Sequence, residues 1–388
     1  MNRTTNPPGL TVTSWEGLLA SVPYSLGYRP RESAVLIGLR IGARAGGSRT
    51  AQVGPSARVD LRDLAHPIGG PQLLEDLTGV MERDGCEDVF VVFYTDQLRA
   101  ALGADPVVSA ALATVRRHTG WADPPGPWVV GDGSYGPWGE ETGCAPATGD
   151  LADLEHGTVA AELTFRGVNV AADRASLAVA PSTDADLRRA AMWGAHEARV
   201  RRRRISHSGA AFGLSPNTAG ELTAWRAEEW QCWRRLLERA ARGRQLPAAG
   251  LGRLAVALED PSVRDGVLSC FLGPAPEQLP TAAWAVSDLD RAMRPGGPRP
   301  DPAHVDPVTT VLRATVAAVP APTGARAVAL LAWAAWWCGN GAQADVLVAQ
   351  ALGSGRRPRL AELVEQVLVH RLPPGWATSR RHEDSTIR

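Results

Sequence analysis

The chain has 388 residues, 44% hydrophobic and 21% charged, a globular balance that excludes wholesale disorder and supplies apolar side chains for about two cores. Its 41 basic and 41 acidic residues cancel, so no global field draws it to nucleic acid or to an anionic membrane. All 41 bases are arginine, the mark of a high-GC coding sequence, and without lysine there is no P-loop, no Schiff-base amine and no lysine general base.

In chain order, Ser14 can cap a short helix, WEGLLASV, that stops at Pro23. ESAVLIGLRI then reads as a buried strand and SARVDLRDL as a second. GPQLLEDLTGVMERDG is an amphipathic helix ended by Gly85, and EDVFVVFYTD, rich in valine and aromatics, is the strongest strand. QLRAALGADPVVSAALATVRRHTG is helical, broken near Pro106; PWVVGDGSYG and TVAAELTFRGVNV read as two more strands. Strands alternating with helices predict an α/β layer with a mixed sheet.

From about Asp184 the period becomes helical. Asp184 and Asp186 suit a first turn, and Arg199 and Arg201 to Arg204 a last turn, as a helix dipole prefers. Thr218 and Glu221 form a capping box before Leu222, Trp225 and Trp233, with Gly243 as the stop, and Asp260-Pro261 is an N-cap followed by proline at the first helical position. Further helices fit TAAWAVSDLDRAM, DPVTTVLRATVAAV, ARAVALLAWAAWWC, AQADVLVAQAL and RLAELVEQVLVHRL. Leu331, Gly339, Ala344 and Ala351 resemble positions of a tetratricopeptide unit, but no second copy follows at that period. The predicted organisation is a disordered N-terminus over 1–13, an α/β domain over 14–183, an all-α domain of helical hairpins over 184–372 and a disordered tail over 373–388.

LLASVPYSLGYRPRESAVLIGL near the start, ARVDL after it, AELTFRGVNVAADRASL in the middle, then DPSVRDGVL, ALLAWAAWWCGNGAQADVLVAQAL and PPGW resemble an actinobacterial family, domain of unknown function four-one-nine-two, over nearly the full length. The resemblance implies no activity, cofactor or site residue. Similar proteins often carry a cysteine-rich turn where this chain has Gly143-Cys144-Ala145-Pro146, which speaks against a metal or redox role for that turn here.

Several constellations weaken on inspection. Cys86, Cys144, Cys232, Cys270 and Cys338 are odd in number and widely spaced, against a disulfide framework or zinc cage. His196-Glu197 lacks the second histidine a zinc helix needs, since Val200 stands near that place and His207 is off the face. Asp132-Gly133-Ser134-Tyr135-Gly136 resembles a nucleophile elbow but is followed by proline rather than a helix, so it reads as a turn after a strand. No metal and no cofactor is expected. The missing signal-peptide core and the lack of an apolar run of about 18 residues predict a cytoplasmic protein off the membrane.

Two sets of candidate residues remain. Arg29 and Ser33, in a proline-fixed turn before a strand, can join Arg58, Asp60 and Asp96 from neighbouring strands in a polar pocket for an anionic or nucleotide-like small molecule. The plainer reading is a rigid proline-fixed turn with a salt bridge between Arg58 and the neighbours of Asp60. Arg201 and Arg202, within Arg199–Arg204, can face phosphates or an acidic partner, or can pair with acids such as Glu228 and Glu229. Trp336 and Trp337 are adjacent and are expected not both to face inward, so one is a candidate anchor for a partner. The leading expectation is a non-enzymatic interaction or regulatory protein with an unidentified protein partner. A pocket for a small anionic ligand comes second, and nucleic-acid binding is disfavoured.

Overall fold

A computed structural model describes residues 2–3, 14–43, 49–96, 105–118, 127–131, 133–138, 149–210 and 216–377. Two compact units divide the chain between Arg174 and Ala175, upstream of the helical start at Asp184. Residues 175–183 go with the helical unit because Gln350 holds the Val179 backbone at both its N–H (3.1 Å) and its carbonyl (2.8 Å), and Ser182 N–H donates to the Ala317 carbonyl.

In the first unit β1 (Asn2–Arg3) precedes α1 (Trp15–Leu26), β2 (Ser33–Ala43), β3 (Arg49–Asp60), α2 (Leu61–Ala65), α3 (Gly69–Arg83) and β4 (Asp88–Tyr94). Then come α4 (Pro106–His118), β5 (Trp128–Gly131), β6 (Ser134–Pro137), β7 (Gly149–Asp150), α5 (Leu151–His156) and α6 (Thr158–Phe165). The seven strands form one mixed sheet in the order β1-β3-β2-β4-β5-β6-β7. Only β4 and β5 pair parallel among these neighbours. Alternation sends Ala34, Val59, Phe93 and Val129, which lie abreast, to the face covered by Leu64, Leu74, Met81, Ala111 and Val115 of α2, α3 and α4. Ser33, Val35, Arg58, Val92 and Tyr94 point to the opposite face, where Trp15 of α1 stacks on Phe90 at 4.9 Å.

Three local readings are corrected here. Ser14 does cap α1, accepting from Gly17 N–H at 3.1 Å, but the helix runs through Pro23 to Leu26 and ends at Gly27 (φ 79°). Proline removes one helical hydrogen bond without ending the helix because Leu18, Leu19, Val22 and Leu26 bury one face. PWVVGDGSYG is two strands, β5 and β6, joined in a hairpin. The segment read as a strand from TVAAELTFRGVNV is helix α6: Ala160 and Leu163 share its buried side at helical spacing, and Gly167 (φ 78°) turns the chain after it.

The second unit is helical: α7 (Ala185–Ala210), α8 (Pro216–Ala241), α9 (Ala248–Ala257), α10 (Pro261–Ser269), α11 (Ala282–Met293), α12 (Pro302–Ala318), α13 (Ala325–Trp337), α14 (Gly341–Leu352) and α15 (Arg359–Val369). Asp260 caps α10 as expected, accepting from Ser262 N–H at 3.0 Å. Two helices are longer than their signals suggested. The Arg199–Arg204 run lies inside α7 rather than in its last turn, and Thr218 lies inside α8, which begins at Pro216. No helix among the described residues is long and apolar enough to cross a membrane.

Candidate functional site

Because β4 and β5 run parallel, their carboxyl ends lie side by side, and the chain departs from Tyr94-Thr95-Asp96 and from Val130-Gly131 at the same edge. Crevices at such ends are where open α/β sheets take ligands. A cavity of about 290 Å³ opens here. Leu19, Ala20, Pro23 and Tyr24 of α1 and Leu151 and Leu154 of α5 give it apolar walls, while Tyr94, Asp96, Arg29, Arg31 and Glu155 supply polar groups.

Glu32 fixes this edge. It adopts a left-handed backbone (φ 41°), which costs a non-glycine residue about 1–3 kcal/mol unless neighbours hold it. Its carboxylate accepts from Thr95 Oγ1 at 3.0 Å and from Asp96 N–H at 2.8 Å, and its carbonyl accepts from Leu61 N–H at 3.1 Å. The end of β4, the start of β2 and the start of α2 are thereby tied together.

Charges of both signs stand at the rim. Arg29 pairs with Glu155, and Arg31 with Asp96 at 3.7 Å. The Arg29 and Arg31 side chains are 51% and 66% exposed, so each pair contributes at most about 1 kcal/mol and can exchange its carboxylate for a ligand's anion at little cost. Tyr94 is buried against the cavity, and that burial pushes its phenol above the ordinary range, so it stays a neutral hydroxyl.

Beside the cavity lies a buried polar cluster. Ser33 stands between Asp60 on β3 and Tyr94 on β4, and Arg58 is its diagonal neighbour on the same face. Arg58 Nη2 meets Asp60 at 2.7 Å and donates to the Arg31 carbonyl at 3.2 Å. Burial raises the Tyr28 phenol, while Arg58 and Arg174 work in the opposite direction. Tyr28 Oη, Ser33 Oγ and Arg58 Nε are buried with no hydrogen-bond partner among the described residues. Leaving a buried polar group unpaired costs about 1–3 kcal/mol.

Of the five residues singled out for a pocket, the structure brings Arg29 and Asp96 to the cavity and sets Ser33, Arg58 and Asp60 in the adjoining cluster. The plainer reading pairs Arg58 with the neighbours of Asp60; the salt bridge that forms is to Asp60 itself. Sequence reasoning missed Tyr94, Glu155 and Glu32. Tyr94 was visible as the last aromatic of the strongest strand; Glu155 carried no signal, because only folding brings α5 to Arg29.

The helical candidates fare differently. Arg201 makes a two-pronged pair with Glu228, and Arg202 meets Glu259 at 3.3 Å with its guanidinium 5.4 Å from the Trp225 ring centre. The expectation that Trp336 and Trp337 cannot both face inward is overturned, for both are buried. Helix α13 is enclosed on all sides, Arg326 alone escaping full burial. Trp336 Nε1 donates to the Leu372 carbonyl at 3.0 Å, and the Trp337 ring stacks on Trp333 at 5.6 Å. Ser134 opens β6, with its hydroxyl 3.4 Å from the Gly131 carbonyl, in a strand–turn–strand setting. Asp132, Cys144 and the tail beyond Ala377 lie outside the described residues. Within them, no three His, Cys, Asp or Glu side chains gather as metal ligands would.

A family model described as Domain of unknown function (DUF4192) matches residues 16–375. The chain belongs to this family. No curated protein and no solved structure matches it. The DUF4192 description assigns no activity, so a functional reading rests on the geometry above.

Proposed function

We propose that the α/β unit binds a small anionic molecule in the cavity at the carboxyl ends of β4 and β5. The observation that carries this reading is the placing of Arg29 and Arg31, each on a readily exchanged carboxylate, at the mouth of an apolar-walled cavity. Arg29 and Arg31 take the anionic group, the neutral Tyr94 hydroxyl orients it, and Glu155 and Asp96 serve as counter-ions while the cavity is free. A cytoplasmic location belongs to the same proposal, supported by the free thiols of Cys232, Cys270 and Cys338.

Calorimetric titration of the full chain with a panel of carboxylates and phosphate esters tests the reading. At least one anion is expected to bind, and Arg29→Ala to weaken it about tenfold or more, the loss of one charge-assisted hydrogen bond. Unaltered binding by Arg29→Ala would remove the cavity from consideration.

A second reading, a helical unit that docks a protein partner, passes from Trp336 and Trp337 to Trp193, which is 64% exposed on α7. A partner retained equally by Trp193→Ala would exclude that surface.

A further inference from the structure

The cavity of the α/β unit carries as many carboxylates as cations. Among the described residues its lining holds Arg29 and Arg31 against Glu155 and Asp96, joined in two pairs. The chain keeps all four at the mouth. Glu155 sits on α5, Asp96 stands just past the end of β4 with its N–H held by Glu32 at 2.8 Å, and both arginines belong to the turn between α1 and β2. A carboxylate that takes over the two arginines therefore leaves Glu155 and Asp96 beside it, so that three negative charges face two positive ones.

The two carboxylates are not equivalent. The Asp96 side chain is 64% exposed and turns to water when released, where its charge is screened; Glu155 is 32% exposed, and water screens it less. Glu155 also follows Leu151 and Leu154 on α5, which line the cavity together with Leu19 and Pro23 of α1. A cation that meets Glu155 would thus stand where the apolar wall gives way to the arginines. Arg29 and Glu155 are in direct contact, so the groups that part them must carry their own two charges close together.

We infer that the cavity takes an α-amino acid with an apolar side chain, its carboxylate on Arg29 and Arg31, its ammonium on Glu155 and its side chain against Leu19, Pro23, Leu151 and Leu154. The inference rests on the reading above for the carboxylate and adds the ammonium and the apolar body. The exchange balances: Arg29 gives up Glu155 for the ligand's carboxylate, Glu155 gives up Arg29 for the ligand's ammonium, and one ion pair becomes two. An α-amino acid carries both charges on one carbon, the close spacing that the Arg29–Glu155 contact requires. A phosphate ester brings two negative charges and no cation, which Glu155 opposes. Size agrees as well, since an apolar cavity of about 150 Å³ holds benzene, and about 290 Å³ leaves room for a ring or a branched chain beside the charged groups.

The test is calorimetric titration of the full chain with phenylalanine and leucine, and with 3-phenylpropanoate and 4-methylpentanoate, the same bodies without the ammonium, at matched ionic strength. At least one amino acid is expected to bind, and its counterpart without the ammonium to bind about tenfold or more weaker. Glu155→Gln should split the pair: the amino acid weakens about tenfold or more, while the counterpart binds as before or tighter, because Arg29 has lost its competitor. Equal affinity for an amino acid and its counterpart would overturn the inference and leave the anion reading standing. So would a failure of both amino acids to bind, or a Glu155→Gln chain that binds the amino acid as the native chain does. The anion reading fails separately, if Arg29→Ala leaves the binding of whichever acid is bound unaltered.

Discussion

Glu229 and Asp260 in the helical unit are almost wholly buried, and each is met by an arginine fork. Arg253 reaches Glu229 at 2.9 and 3.3 Å, and Arg226 spans both oxygens of Asp260. In the α/β unit the rim charges instead pair where water screens them. Buried polar atoms with no partner among the described residues occur in both units, as the Tyr28 and Ser33 hydroxyls and Arg58 Nε in the first and as the indole nitrogens of Trp225, Trp233 and Trp337 in the second. A buried ion pair that is fully matched holds elements in place, and removing one member leaves a charge stranded. A buried polar atom that is unmatched destabilises the fold.

The comparison can be broken most sharply at Arg253. Arg253→Ala strands the Glu229 carboxylate and is expected to cost about 3–5 kcal/mol by chemical denaturation; a loss within about 1 kcal/mol would mean that water already reaches Glu229. Next comes the close approach of α7 and α9. A Cβ on Gly252 would lie 1.8 Å from the Ala191 carbonyl oxygen, so Gly252→Ala must push the two helices apart, at about 1–3 kcal/mol.

The opposite sign is expected in the α/β unit. Tyr28→Phe and Ser33→Ala each remove an unpaired buried hydroxyl and should leave stability unchanged or raise it by about 1 kcal/mol in the same assay. A clear loss would show that these atoms are satisfied by internal water.

The smallest effect is at the surface. The hydrogen bond from Arg201 holds the Glu228 carboxyl below its usual value, so the pair's contribution is present above about pH 4.3, the ordinary glutamate value, and is lost as pH falls through the lowered one. Arg201→Ala should cost at most about 1 kcal/mol at neutral pH, and the gap to the native chain should close on acidification.

Much of this architecture was readable beforehand where local chemistry is decisive. The valine- and aromatic-rich β4 and the Asp260 cap carry their signals within a few residues. TVAAELTF misled because its residues suit either period, and packing on α1 settled it as a helix. Trp336 and Trp337 misled because adjacent side chains on a helix normally divide between core and solvent; a helix enclosed on every side has no solvent face.

The sequence by itself determined the order of the units, the charge balance, and the placing of Arg29 in a fixed turn and Asp96 at a strand end. Only the tertiary structure decided what those groups meet. Arg29 finds Glu155 across 126 positions of chain, and Arg356 finds Glu259 across 97. Local pattern records which residues favour burial and with what period. Which charges become neighbours depends on how whole elements pack, and that information is spread over residues far apart in the chain.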